Sequence, residues 1–224
     1  MEDGRWKKIV LLFLLVQFAF SQSNKTLENK IYESVEVFAA NPTIESLKKI
    51  EIAEKNFDVK SNAEKLALVI LNCNKAFYQN QFGQTQKAIS SYEKAWQLYN
   101  QNKLSNYDIV ESCLKPLGNL YTIVGDYDNA ENTIKQYFYI ASIDKNSEQK
   151  AAAILNLSNV YQNTGKIDEA IILLEKTIKT EKLSSAEKGK LLSNLGNNYF
   201  LSKNHKRAES AFELSIVELK KDAS

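Results

Sequence analysis

Residues 117–130 read LGNLYTIVGDYDNA, residues 157–170 read LSNVYQNTGKIDEA, and residues 195–208 read LGNNYFLSKNHKRA. No other feature of the chain limits its fold as strongly. Each copy opens on a leucine (Leu117, Leu157, Leu195) followed at once by a small residue (Gly118, Ser158, Gly196) and an asparagine. A tyrosine comes four residues after each leucine (Tyr121, Tyr161, Tyr199), and an alanine closes each copy (Ala130, Ala170, Ala208). The leucine and tyrosine lie one turn apart on one helix face, and the small residue beside them lets a second helix approach closely. Gly125 and Gly165 stand between the two helices, where the turn wants positive φ. The third copy has Lys203 at that place, and its turn is expected to rest on Asn204 instead. Units of this kind bury their apolar faces only against their neighbours, which predicts a stack rather than a central core.

Composition agrees with helices. The chain is 44% apolar and 25% charged, globular values, and its two prolines and seven glycines are too few for a β-sandwich or barrel. The formal charge is +2, and Arg5 and Arg207 are the only arginines. Nucleic-acid and phosphate readers rely on arginine forks, so neither is an expected partner.

The first 25 residues, MEDGRWKKIVLLFLLVQFAFSQSNK, place Arg5, Lys7 and Lys8 before an apolar run from Ile9 to Phe20. The run is short of the roughly 20 residues a membrane span needs. Ala19 and Ser21 supply small residues three and one before a cut at Gln22, so residues 1–21 are read as a signal peptide. A buried N-terminal helix is the alternative. The mature chain is then expected outside the cytoplasm, in a periplasm or extracellular space, with no membrane span after cleavage.

Helical periodicity continues through the mature chain. Leu27, Ile31, Val35 and Phe38 form one stripe, and Asn41-Pro42-Thr43 interrupts it. Asn41 as N-cap with Pro42 at the first helical position is a start signal for a second stripe, Ile44, Leu47, Ile50 and Ala53. Residues 22–60 thus read as a degenerate helix pair, and residues 61–224 as repeats over about 63–102, 108–144, 150–184 and 187–221. Pro116 lies inside a predicted helix and is expected to kink or divide it.

The set Leu, Gly/Ser, Tyr, Gly and Ala, with Ile134, Leu174 and Phe212 four residues after each alanine, resembles the tetratricopeptide repeat. The match is good in the last three pairs, partial in the pair containing Ala88, and weak before residue 60. Leu114, Ile154 and Leu192 stand where that family often has Trp, no proline ends the second helices, and the intervals of 40 and 38 residues exceed the usual spacing. The resemblance implies an all-α, right-handed solenoid of antiparallel helix pairs. The stretch ESCLKPLGNLYTIVGDYDNAENTIKQY, after a leader and the start ENKIYESVEVFAANPTIESLKK, also resembles the repeat region of bacterial CHAT-domain proteins, in which repeats precede a caspase-like protease domain. Nothing in this chain provides that domain.

Catalytic candidates are few. His205 is the only histidine, in the turn of the last pair, and it reads as a solvated turn residue. No His/Cys cluster has metal-ligand spacing, so neither metal nor cofactor is expected. Cys73 and Cys113 are forty residues apart, near the repeat interval. They read as two buried thiols, with a disulfide as the alternative that export would permit.

The expected working surface is the groove lined by the first helices. Asn119, Asn159 and Asn197 recur there, and an amide offers both donor and acceptor to a peptide backbone. With Lys115, Asn156, Lys190 and Asn194 they also resemble the carboxylate clamp of chaperone-binding tetratricopeptide proteins, although that clamp wants a basic residue where Asn194 stands. The asparagines are equally common scaffold letters of the repeat. The final helix carries Phe212, Ile216 and Leu219 with no polar helix after it, so a partner, a second copy or a further domain is expected to cover that face. The resemblance therefore implies an exported, non-catalytic protein- or peptide-binding scaffold. The competing expectations are the repeat part of a CHAT-domain protease, regulating a catalytic domain not in this chain, and a self-assembling structural protein.

Overall fold

The computed structural model describes residues 26–222. The basic-apolar leader and its cut before Gln22 lie outside the described residues. Among the described residues every regular element is a helix, and these residues divide into two compact units, one ending at Ser105 and one starting at Asn106.

The first unit holds α1 (Leu27–Ala40), α2 (Ile44–Glu54), α3 (Asn62–Gln81) and α4 (Thr85–Gln101). Ile31 and Phe38 of α1, Leu47 and Ile50 of α2, and Ala67, Leu68 and Leu71 of α3 form one buried cluster. The α2 start differs from the expected Asn41 cap. Thr43 is the N-cap: its hydroxyl accepts from the Ser46 N–H at 3.0 Å, and the Thr43 N–H donates back to Ser46 Oγ at 2.8 Å. That reciprocal box satisfies two donors where a lone Asn41 side chain satisfies one, and Asn41 closes α1 instead. Beneath this hairpin, the Glu54 carboxylate receives both Lys75 of α3 and Lys94 of α4. The side chains of Glu54 and Lys75 are each 7% exposed. Burial alone would raise the Glu54 carboxyl; hydrogen bonds and charge from the two lysines outweigh it and hold the group below the usual range.

The second unit contains a π turn (Val110–Leu114) running into α5 (Lys115–Val124), then α6 (Tyr127–Ile143), α7 (Ser147–Asn163), α8 (Ile167–Thr180), α9 (Ser185–Leu201) and α10 (His205–Asp222). Pro116 divides its helix as expected, and the π turn is how. The Lys115 N–H reaches back five residues to the Val110 carbonyl. This wider ring accommodates the missing proline N–H and the ring's clash with the preceding turn. Each of α6 and α8 packs against its own first helix and against the first helix of the next pair, the arrangement of a tetratricopeptide-like α-solenoid.

Three turns close alike. Gly125 (φ 79°), Gly165 (φ 76°) and Lys203 (φ 63°) are left-handed. In each, the next residue's N–H bonds the carbonyl of the repeated tyrosine: Asp126 to Tyr121 at 2.9 Å, Lys166 to Tyr161 at 2.8 Å, Asn204 to Tyr199 at 2.9 Å. The third turn therefore does not rest on Asn204. Lys203 itself takes the left-handed conformation because the six-residue closure requires it there, and Asn204 Oδ1 accepts from the Arg207 N–H to start α10.

In the first and last pairs of this unit the helices meet at small residues. A Cβ added to Gly118 would lie 3.1 Å from Ile134 Cγ1, and one added to Gly196 would lie 2.7 Å from Phe212 Cε1. One added to Gly189 would lie 2.6 Å from Leu219 Cγ. Phe212 and Leu219 therefore lean onto α9, Leu219 while remaining 40% exposed, and Leu214, Ile216 and Val217 are exposed beside it. Cys73 and Cys113 are both buried and form no disulfide.

Candidate functional site

The asparagines of the second unit reach from one first helix to the next. Asn156 Nδ2 on α7 donates to Asn119 Oδ1 on α5 at 2.9 Å and to the Tyr137 hydroxyl at 2.9 Å. Tyr137 in turn donates to the Ala152 carbonyl at 3.3 Å. Burial pushes its phenol well above the ordinary range, so it stays a neutral donor. One pair further on, Asn194 Nδ2 on α9 donates to Asn159 Oδ1 on α7 at 2.9 Å. Asn194 Oδ1 accepts from the Ser158 hydroxyl at 2.8 Å and from Asn198 Nδ2 at 3.0 Å.

The seven predicted groove residues fall on three consecutive first helices, in different states. Asn119 and Asn159 are exposed but already paired with amides, each keeping one lone pair and both N–H donors. Asn156 and Asn194 are half-buried and act as the links. Asn197 is exposed with no hydrogen-bond partner among the described residues. Lys190 is exposed, whereas Lys115 is half-buried and paired with Glu111 at 2.8 Å. The amide ladder brings Asn119, Asn156, Asn159 and Asn194 together, and it leaves Lys115 to its own helix.

Among the predicted packing residues, Leu117, Tyr121, Leu157, Leu195 and Tyr199 are buried, as are Ala130, Ala170 and Ala208. Tyr161 is half-buried, its hydroxyl 3.5 Å from Glu131. Tyr199 donates to Glu175 and lies under Arg207, whose guanidinium carbon is 5.2 Å from the ring centre. Burial, with the Glu175 carboxylate, pushes the Tyr199 phenol up to about 12. Three polar residues were missed in the sequence: Tyr137, Ser158 as a hydrogen-bond donor, and Asn198. Asn198 had a signal, since it occupies the place of the apolar Leu120 and Val160 in the earlier copies. It is fully buried, and its Oδ1 has no partner among the described residues.

His205 is exposed at the start of α10, its ring 5.3 Å from Phe200, and the described residues contain no group of three His, Cys, Asp or Glu that could hold a metal ion. No helix among them is long and apolar enough to cross a membrane.

Comparison with known proteins falls in line with the geometry. Residues 151–185 match the family model of the tetratricopeptide repeat, and residues 44–110 match that of anaphase-promoting complex subunit 5. No curated protein matches the chain in sequence. A solved structure of a putative kinesin light chain from Podosopora anserina, with nearly identical tetratricopeptide-like repeats, is similar at 18% identity and TM-score 0.67, covering 88% of this chain and 98% of that one. BtubC from P. vanneervenii is similar at 16% identity and TM-score 0.62, covering 90% and 94%. The apo form of RapI covers all of this chain but 63% of its own length, at 12% identity and TM-score 0.69. The chain thus carries a segment similar to the tetratricopeptide repeat over residues 151–185 and shares the all-α, tetratricopeptide-like fold of these solved structures.

Proposed function

We propose that the chain is an exported, non-catalytic scaffold that binds a protein or peptide along the groove of its first helices. The observation that carries this reading is the amide ladder. Asn119, Asn159 and Asn197 stand exposed on three successive first helices, and the ladder beneath them holds the first two in fixed orientation. Prepaid orientation lowers the entropy cost of binding an extended backbone, which needs donors and acceptors at regular intervals. Lys190, two turns before Asn197 on the same helix and without an ion pair among the described residues, adds attraction for a carboxylate.

Photo-crosslinking in the native host tests this. A crosslinking residue at Asn197 or Asn159 should capture a discrete protein, and one at exposed Lys48 on α2 should not. Equal capture from both positions removes the groove from the proposal. The export part is tested separately by N-terminal sequencing: a secreted or periplasmic chain beginning at Gln22 supports it, and a cytoplasmic chain retaining Met1 overturns it.

Self-association is a second reading, favoured by Leu214, Ile216 and Val217 on α10, each about half exposed (53%, 53% and 51%). Light scattering decides it, since a monomer at high concentration rules it out.

A further inference from the structure

A second recess lies away from the asparagines. Between α6 and α8, with α7 as its floor, is a cavity of about 380 Å³. Ile154 and Leu157 form the floor, and Phe138 and Leu173 stand half-buried on either side. Its volume is within the range of small-ligand pockets, roughly 300–1,000 Å³. A smaller recess adjoins it, sharing Phe138, Ile154, Thr177 and Glu181.

The rim is basic. Lys135 and Lys176 line the larger recess, Lys150 and Lys182 the smaller, against Glu181 as the one acid of both linings. Lys150 is occupied by Glu181 at 2.6 Å and Lys135 by Glu131 at 2.6 Å. Lys176 and Lys182 are exposed and make no ion pair among the described residues. An apolar slot under unspent positive charge selects an apolar group flanked by carboxylates. The two free ammonium groups sit at different places on the rim, one within α8 and one beyond its end. Several carboxylates spread along a chain satisfy that distribution better than one headgroup does.

We propose that this trough is a second docking site, taking an acidic peptide segment that inserts a bulky apolar side chain between Phe138 and Leu173. It is independent of the first-helix groove, and the two stand or fall on different reporters.

The test is a methyl NMR titration of the full chain with the blocked peptide Glu-Glu-Leu-Phe-Glu-Glu. Signals of Ile154, Leu157 and Leu173 should shift, while Ile123 and Leu201 on the first helices stay in place. Affinity should fall with added salt, and the Lys176→Glu/Lys182→Glu variant should bind about tenfold more weakly or worse. Both substitutions are on exposed, unpaired side chains, so an unchanged spectrum of the free variant verifies its fold. Salt dependence of the native chain is the readout that needs no variant. The proposal is overturned if Lys-Lys-Leu-Phe-Lys-Lys binds as well, if affinity ignores salt, if no trough methyl shifts, or if Ile123 and Leu201 shift in their place. It is equally overturned if laurate shifts the trough methyls and the acidic peptide does not, which would make the site a lipid site.

Discussion

Exchanging the left-handed residues of two equivalent turns should change stability in opposite directions. Gly165 and Lys203 close their turns with the same backbone hydrogen bonds, at φ 76° and 63°. A Cβ added to Gly165 meets nothing within 4 Å, so Gly165→Ala perturbs the backbone conformation and no packing contact. An L-residue in that conformation loses about 1–2 kcal/mol. Removing a glycine returns about 0.5–1 kcal/mol through the narrower unfolded ensemble. The balance is a loss of about 0.5–1 kcal/mol for Gly165→Ala and a gain of similar size for Lys203→Gly. In a chain of this length about 1 kcal/mol moves the melting temperature by roughly 2–4 °C. The assay is urea unfolding followed by helical circular dichroism, comparing midpoints with the slope held as a check on two-state behaviour. A neutral Gly165→Ala, or a destabilising Lys203→Gly at unchanged slope, would refute the claim that turn geometry sets these energies.

Other outcomes follow from contacts already described. Gly196→Ala should cost about 1–2 kcal/mol, because its Cβ would meet the Phe212 ring at 2.7 Å and overpacking outweighs the roughly 1 kcal/mol gain in helix propensity. Gly118→Ala, with its nearest contact at 3.1 Å, should cost less, and chemical denaturation ranks the two. Asn194→Ala should cost about 1–2 kcal/mol: it removes the side-chain bonds of Ser158, Asn198 and Asn159, while Ser158 keeps the Leu155 carbonyl and Asn198 the backbone carbonyl of residue 194. Asn197→Ala should leave the urea midpoint nearly unchanged while weakening capture of the groove's partner. Glu54→Gln should cost about 3–5 kcal/mol, since Lys75 stays buried without its anion. The Glu54 carboxyl is held below its ordinary value of 4.5, so its contribution is present above that pH and lost as pH falls through the lower folded-state value. Urea midpoints measured from pH 6 down to pH 3 should show a decline in the native chain that is smaller in Glu54→Gln.

The helical architecture was readable because it depends on local chemistry: apolar spacing, small residues at crossings and left-handed turns leave their marks in adjacent letters. Where reading failed, competing local solutions existed. Asn41 and Thr43 are both good caps, and only the reciprocal bond with Ser46 chooses between them. Lys203 shows no left-handed preference by itself, yet the bond from Asn204 to the Tyr199 carbonyl obliges it. The exposed asparagines were found from their recurrence, but their pairing was not legible. It depends on the offset between consecutive first helices, which brings residues 35 and 37 apart into contact. Tyr137 joins that array from a second helix, and nothing in its own neighbourhood marks it as a partner of Asn156.

The amide ladder has a mechanical consequence. Greasy contacts between helices tolerate sliding, because one methyl group serves as well as another. A hydrogen bond between two particular amides does not: shifting α7 past α5 by one turn would separate Asn156 from Asn119, and the same displacement of α9 would strand Asn194. The successive hairpins of this unit are keyed together like teeth on a rack, and a force applied to one is handed to the next with little slack.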